Sequence, residues 1–295
     1  MSFSAEIKSE LCKIIPENDS NKLSEIYGML LFSKHFCKNN GIILKTENKI
    51  ICKKFAELIS SIFNIITDIQ IQKKSLYTLI ILNENDRSVI LDHFKIDRDN
   101  LHLNKEYLKN SLLASFLRGV FLSCGNLAEP SINYHLEWSV KSRDLANIHQ
   151  EVLLKTNLNL HVNYTKKKSS YLVYLKSYDN IVDFLAFVGS QARVMDIIQV
   201  KMVKEVRNQI NRTTNFETAN IHKTAIAATE QILAIKKLKK SRKFESLPPE
   251  LKELANLRLN NPQMSLKELG ENLSIKISRS CVNQRLKRII ALSNS

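Results

Sequence analysis

The sequence contains no cysteine pair at CxxC spacing and no apolar run long enough to span a membrane. Its five cysteines are scattered and odd in number, which indicates neither a disulfide framework nor a zinc site. The first residues, MSFSAEIKSELCK, include acids and lack an apolar core, so they do not have the pattern of a secretion signal. We therefore expect a cytoplasmic protein that needs neither a cofactor nor a metal.

The charge is strongly basic and unevenly distributed. The net charge is +15 for 295 residues. Residues 201–295 carry 19 Lys and Arg against 8 Asp and Glu, whereas residues 1–200 carry 25 against 21. This excess predicts a polyanionic partner for the C-terminal third. A membrane surface is one candidate, but the basic residues are interleaved with acids rather than gathered on one long amphipathic helix, so nucleic acid is favoured.

The stretch 264–295 predicts two short helices joined by a turn. Ser265 and Glu268 have the spacing of a capping box, and Ser278 can begin the second helix. The predicted apolar stripes are Leu266, Leu269 and Leu273, and then Val282, Leu286 and Ile289. This pattern is typical of a helix-turn-helix, although a solvated helical hairpin has the same periodicity. The turn contains no glycine, and Gly270 lies inside the first helix, which indicates that another helix packs closely there.

The outer face of the second predicted helix carries amides and cations that can contact duplex DNA. We expect base contacts from Arg279, Ser280, Asn283, Gln284 and Lys287, and phosphate contacts from Arg285 and Arg288. Ser265, Lys267 and Ser278 complete this predicted interface. Further phosphate contacts are predicted for a basic cluster, some of which a helix C-terminus alone explains: Lys236, Lys237, Lys239, Lys240, Arg242 and Lys243.

The first two hundred residues contain an internal repeat. Helices with an internal glycine, at Gly28 and Gly119, are 91 residues apart. Two predicted hairpins with basic tips begin 93 residues apart, at Lys73 and Lys166. The similar offsets predict duplication of an α-β-β unit, packed about a pseudo-two-fold axis. The tips, Lys73 with Lys74 and Lys166 with Lys167 and Lys168, could add a second DNA surface, although exposed hairpin lysines usually serve solubility.

The segment FLRGVFLSCGNL (116–127) resembles the LAGLIDADG motif of homing endonucleases. In that family, two such helices pack through small residues and each ends at a metal-binding acid. The resemblance places those acids at Ser33, in EIYGMLLFSK, and at Cys124. Neither side chain can replace a carboxylate as a ligand for a hard divalent cation. We therefore expect the helix packing without the cleavage chemistry.

The whole chain resembles the WhiA family. The resemblance is carried by MSFSAEIKSEL, FLRGVFLSCGNL, VKEVRNQINRTTNFETANIHKT and LPPELKELANLRLNNPQMSLKELGENL. It implies a degenerate LAGLIDADG domain, a C-terminal helix-turn-helix and a DNA-binding regulator. Family members look like sporulation transcription factors or proteins of cell division and chromosome segregation. Usage rich in Lys, Ile and Asn suggests an AT-rich genome and favours the second role.

These observations predict an α+β chain. A duplicated, homing-endonuclease-like N-terminal domain with a pseudo-two-fold axis precedes an all-α helix-turn-helix domain. The expected divisions are an N-terminal helix (1–20), the duplicated domain (21–212, with repeats at about 21–96 and 110–190) and the DNA-binding domain (213–295). Residues 191–212 and 218–239 are predicted as separate helices, with a boundary near Asn215 or Thr218.

Three functions remain open from the sequence. The favoured one is sequence-dependent binding of double-stranded DNA without catalysis, by a nucleoid-associated protein with division or transcription proteins as further partners. The second is a protein-interaction module whose DNA binding is incidental. The third is an active homing-type endonuclease, which the residues at Ser33 and Cys124 argue against.

Overall fold

Residues 2–33, 42–72, 76–96, 103–241 and 243–294 are described by the computed structural model. They divide into two units, Met1–Val203 and Lys204–Ser295. The first unit begins with α1 (Phe3–Cys12), α2 (Asp19–Leu31), β1 (Ile42–Thr46), α3 (Lys49–Phe63), β2 (Asp68–Gln72), β3 (Leu76–Ile81) and α4 (Glu84–Phe94). A second run follows, with α5 (Leu113–Cys124), β4 (Gly125–Leu127), β5 (Leu136–Val140), α6 (Arg143–Leu154), β6 (Asn163–Lys167), β7 (Ser170–Leu175) and α7 (Tyr178–Val188). The last helices are α8 (Gln191–Lys240), α9 (Pro249–Asn260), α10 (Leu266–Glu271) and α11 (Arg279–Asn294).

Each run forms an antiparallel sheet with the same spatial order of strands. The first sheet has the order β1-β3-β2. In the second sheet, β5-β7-β6 has the same order, and the additional strand β4 lies beside β5. Leu44 pairs with Leu79 in one sheet and Trp138 pairs with Val173 in the other, and all four side chains are buried. This correspondence confirms the predicted duplication. The sequence pattern does not predict β4, a three-residue edge strand.

The two runs meet where α2 packs against α5. A Cβ atom on Gly28 would lie 2.3 Å from the carbonyl oxygen of Phe116, and one on Gly119 would lie 2.2 Å from that of Glu25. The two glycines are 91 residues apart in the sequence, and so are Glu25 and Phe116, whose carbonyls they face. The helices therefore touch backbone to backbone about the predicted pseudo-two-fold axis, and a larger side chain at either position would force them apart.

A buried ion pair also joins these two helices. The Arg118 Nε donates to Glu25 Oε2 at 3.1 Å, and the same guanidinium donates to the Val188 carbonyl and to the Ser115 hydroxyl, both at 3.1 Å. Glu25 is fully buried. Removal of either partner would leave an uncompensated buried charge, so the pair favours one register of the two helices. Periodicity alone does not predict this contact.

Helix α8 shows that the predicted break near Asn215 and Thr218 is wrong. The 50 residues from Gln191 to Lys240 form one helix. This stretch contains neither glycine nor proline, and each Thr, Asn or His in it costs less than about 1 kcal/mol of helix stability. No local feature is therefore strong enough to end the helix. The predicted domain boundary at 212/213 falls within it and stays a prediction.

The second hairpin is shifted relative to its prediction. Strand β6 begins at Asn163 instead of Leu158, because Asn157 and Asn159 adopt left-handed backbone conformations with φ of 57° and 48°. The extended ladder therefore starts only after these two residues.

The lysines predicted at the hairpin tips are consequently placed differently. Lys166 and Lys167 lie within β6, and only Lys168, with φ of 53°, belongs to the turn. The tip of the first hairpin, with Lys73 and Lys74, lies outside the described residues.

Replacement of Gly119 by Ala tests the helix contact. Helix propensity alone predicts that Ala stabilises by about 1 kcal/mol. The clash with the Glu25 carbonyl instead predicts a loss of about 1 to 3 kcal/mol in the free energy of unfolding. Denaturant titration followed by the fluorescence of Trp138, the single tryptophan, reports on this unit. Thr214→Ala, at an exposed position of α8, is the control and should change stability little. A stabilised G119A variant would contradict the contact.

His149 lies in the core of the first unit, and among the described residues neither of its buried ring nitrogens has a hydrogen-bond partner. Its ring packs against Trp138 and Phe32, with centroids 4.6 and 5.3 Å away. Burial lowers the pKa of His149 from 6.5 to about 3. The unfolded chain therefore takes up a proton that the folded chain does not bind. The free energy of unfolding is therefore independent of His149 protonation above about pH 6.5, and it decreases as the pH falls toward 3.

This burial predicts a steep acid dependence of stability. Below about pH 6, the free energy of unfolding of the wild type should fall by about 1.4 kcal/mol per pH unit more than that of His149→Phe. Comparing each protein with itself across pH removes the constant effect of the substitution. His222→Gln, at an exposed site on α8, should keep the wild-type slope. Parallel profiles for the wild type and H149F would contradict a neutral buried imidazole.

Candidate nucleic-acid interface

The second unit is built around one apolar core that α8, α9, α10 and α11 share. Its buried members are Ile235, Leu238, Phe244, Leu247, Leu251, Leu254, Ala255, Leu269, Leu273, Val282, Leu286 and Ile289. They recur every three or four residues along each helix, which gives each helix one inner face. Pro249 begins α9 and Asn260 ends it, as the sequence predicts.

The predicted capping box fixes the start of α10. The Glu268 backbone N–H donates to Ser265 Oγ at 3.3 Å, and the Ser265 N–H donates to Glu268 Oε2 at 2.7 Å. The bond from the Ser265 backbone lowers the pKa of Glu268, because it favours the carboxylate. Ser265 therefore has a structural role at this position. The nearby Lys267 is exposed, and its Nζ lies 3.9 Å from Glu271 Oε1.

Gly270 allows the chain to turn tightly between α10 and α11. Ile277 N–H donates to the Gly270 carbonyl at 3.2 Å, and a Cβ atom on Gly270 would lie 2.4 Å from the Ile277 carbonyl oxygen. The close neighbour predicted from the sequence is therefore mainly the connecting segment, together with the Val282 side chain of α11. The glycine that allows this turn therefore lies within α10 and not in the connecting segment.

Helix α9 holds the same connection through Glu253. The Ser274 N–H and Oγ donate to Glu253 Oε1 at 2.6 and 2.7 Å. The bond from the Ser274 backbone lowers the pKa of Glu253, so the anchor is a carboxylate at neutral pH. The angle between α10 and α11 is thus set by contacts that do not involve the outer face of α11.

The outer face of α11 is open, as predicted. Ser278 accepts from the Cys281 N–H at 3.3 Å and begins the helix. Val282, Leu286 and Ile289 are buried, and the opposite face presents exposed Arg279, Ser280, Gln284, Lys287 and Arg288, with Asn283 half-buried beside them. The face therefore combines amide and cationic side chains on one side of a supported helix.

Arg285 of this helix has an acidic partner in the same unit. Its Nη2 lies 2.6 Å from Glu250 Oε2 of α9, and its side chain is 23% exposed. The sequence assigns Arg285 to phosphate contact, whereas the structure places it against a carboxylate. Arg288 lies one residue after Lys287 and stays exposed.

The basic cluster follows the C-terminal end of α8. Lys236, Lys237, Lys239, Lys240 and Lys243 are exposed, and Arg242 lies outside the described residues. Lys239 donates to Asn256 Oδ1 at 2.9 Å and lies 4.8 Å from the Phe244 ring centroid. Lys237 shares a cleft with the last turn of α11. The cluster therefore extends the positive surface beyond that turn.

A second cleft of about 430 Å³ lies beside the N-terminal end of α11. Its cations come from all four helices and are Lys223, Arg258, Lys267 and Arg279. Among the described residues, no carboxylate lines it. Sequence reasoning misses Lys223, Gln231 and Arg258 here. The available signal is that Gln231 and Arg258 interrupt apolar stripes, at positions whose helical neighbours are buried.

The positions of the missing metal ligands lie at the ends of α2 and α5. Ser33 Oγ donates to the Ile43 carbonyl at 3.2 Å and lines a cleft of about 390 Å³ that also contains Lys8, Lys45 and Asn126. Cys124 is buried, and its Sγ donates to the Val120 carbonyl at 3.5 Å. Within the described ranges, His, Cys, Asp and Glu form no group of three or more that could hold a metal ion.

Across the part of the chain that the structure covers, no helix has the length and hydropathy needed to cross a membrane.

Known protein families match segments of both units. The family model for the WhiA LAGLIDADG-like domain matches residues 113–207, and that for the WhiA C-terminal HTH domain matches residues 210–293. A probable cell division protein WhiA from Thermoanaerobacter is 34% identical over 311 residues, covering 99% of this chain and 97% of the relative. The corresponding Clostridium botulinum protein is 32% identical over 309 residues, covering 98% and 96%.

A solved structure shows the same architecture. Full-length DUF199/WhiA from Thermatoga maritima aligns with a TM-score of 0.62 and 26% identity, covering 100% of this chain and 98% of that chain. The likeness includes both the duplicated domain and the helical C-terminal domain.

Proposed function

This chain belongs to the WhiA family, and from that membership we propose that it binds duplex DNA through α11 and takes part in bacterial cell division. The relatives bear the name of probable cell division proteins. Chromosome segregation and transcription regulation are the activities through which DNA binding would serve division. Such a protein works at the nucleoid in the cytoplasm.

One observation carries the proposal: the polar face of α11 is exposed while its apolar face is fixed in the core. Arg279, Ser280, Asn283, Gln284 and Lys287 are proposed to enter the major groove, where amides and cations read base edges. Arg288, Lys267 and the exposed lysines from Lys236 to Lys243 are proposed to hold phosphates. Ser265 and Ser278 contribute by positioning α10 and α11.

Arg285 is left out of the proposed phosphate set because Glu250 already engages its guanidinium. In the first unit, Lys166 and Lys167 lie in strand β6 and Lys168 follows it, so that the three form a separate basic edge. We assign this edge a non-specific role at most, because lysines on an edge strand also prevent pairing with other chains.

We further propose that the chain does not cleave DNA. Ser33 and Cys124, at the ends of the paired helices, offer a hydroxyl and a buried thiol where a hard cation requires carboxylates. Supercoiled plasmid incubated with the protein and Mg²⁺ or Mn²⁺ should stay supercoiled, with a matched incubation in EDTA as the control. Nicking that needs the metal and disappears in EDTA would overturn this part of the proposal.

Specificity is tested by removing the base-reading side chains while keeping the helix. In Asn283→Ala/Gln284→Ala/Lys287→Ala, preference for a duplex selected by the wild type from random sequence over a scrambled duplex should fall by at least about tenfold. The matched variant is Arg288→Ala, which should weaken both duplexes equally and reduce the log-log salt slope by about one.

Fluorescence anisotropy at several salt concentrations separates these two effects. Circular dichroism would show that both variants keep their helices. An unchanged preference in the triple variant would remove α11 from sequence recognition, whereas loss of preference in R288A alone would reverse the proposed roles.

A further inference from the structure

The cleft beside the N-terminal end of α11 has the features of a ligand site. We propose that it binds the phosphate group of a small phosphorylated molecule, and that the occupied cleft weakens DNA binding. The second half of this inference rests on the proposed DNA-binding function. The volume of about 430 Å³ lies within the range of small-ligand sites.

The charge of the cleft specifies an anion. Lys223, Arg258, Lys267 and Arg279 line it, and among the described residues no Asp or Glu does. Arg279 is also the first residue of a 16-residue helix, whose N-terminal backbone groups favour an anion. A phosphate carries enough charge and enough acceptor oxygens to engage several of these donors at once, which a single carboxylate does not.

Arg258 provides an independent indication, because it is a buried cation for which the described residues supply no acidic partner. Its side chain donates through Nη1 to the carbonyls of Met264, at 2.6 Å, and Pro262, at 3.4 Å. Its residue exposure is 1%, and within the described part of the chain its Nε has no hydrogen-bond partner. Burial lowers the pKa of Arg258, as expected for a cation removed from water. An uncompensated buried charge is costly, and a bound anion would supply the missing partner.

Gln231 adds the second part of the ligand chemistry. It is buried in α8 and lines the same cleft, and its Oε1 accepts no hydrogen bond from any residue that the structure describes. A buried acceptor needs a donor. A phosphate ester of a hydroxyl-bearing molecule offers both a phosphate for the cations and a hydroxyl for Gln231. The site therefore fits a sugar phosphate or a mononucleotide better than inorganic phosphate alone.

The position of the cleft connects it to DNA recognition. Arg279 and Asn283 line it and also belong to the proposed base-reading set. A bound phosphate would engage Arg279 and reduce the local positive charge. Occupancy should therefore weaken DNA binding, and DNA should weaken ligand binding by the same factor.

Binding is first measured without DNA. Titration calorimetry of the full chain in phosphate-free buffer uses inorganic phosphate and adenosine 5′-monophosphate as probes, with chloride at matched ionic strength as the control. We expect dissociation constants of about 0.1 to 1 mM, weakened about tenfold by Lys223→Ala. Gln231→Leu should weaken the mononucleotide more than inorganic phosphate. Because Arg258 also supports the chain after α9, K223A is the primary variant and R258Q is a secondary one.

The second measurement follows duplex DNA by anisotropy. Saturating mononucleotide should weaken wild-type DNA binding several-fold, whereas K223A should bind DNA normally and respond little to the nucleotide. The inference is overturned if neither probe binds above the chloride control, or if K223A binds both probes like the wild type. It is also overturned if K223A loses DNA affinity while free phosphate does not bind, since the cleft then holds a DNA phosphate. Nucleotide binding by a chain that binds no duplex would instead contradict the DNA-binding proposal and the coupling that rests on it, and would support the ligand site.

Discussion

The arrangement of the first unit depends on the backbone contact between α2 and α5. Gly28 and Gly119 each face a carbonyl of the opposite helix at a distance that excludes a side chain. The contact is the same in both directions, so it places the two halves and their sheets about one axis. It requires small residues and a matched register, but no carboxylate at the helix ends. This is the physical reason that a homing-endonuclease-like scaffold can persist where Ser33 and Cys124 occupy the positions of metal ligands.

The second unit separates support from recognition in a similar way. Buried Val282, Leu286 and Ile289 orient α11, and Glu253 holds the connection before it through Ser274. Neither set of contacts uses the outer face. The exposed amides and cations can therefore vary without loss of the fold, and in the proposed function they determine which DNA is bound. The adjacent basic cleft places buried Gln231 and Arg258 beside Arg279 and Asn283 of this face, which makes it suited to control.

Local sequence signals predicted much of this structure. Pro249 and Asn260 bound α9, the capping box at Ser265 begins α10, and the glycine spacing predicts the helix contact. The errors lie at element boundaries that were predicted from the weak local preferences of single residues. No residue between 191 and 240 ends α8, and left-handed Asn157 and Asn159 delay β6. Contacts between separate helices, such as Arg285 with Glu250, and the cleft around Arg258 are set by tertiary packing, which periodicity does not encode.

The central claim is that the outer face of α11 contacts duplex DNA. Amide hydrogen exchange of the full chain, with and without a selected duplex, locates the contact directly by mass spectrometry. Contact through α11 predicts slower exchange in peptides from Ser265 to Arg288, and unchanged exchange in the helices that pair at Gly28 and Gly119. Protection confined to residues 1–203, with α11 exchanging as in the free chain, would contradict it.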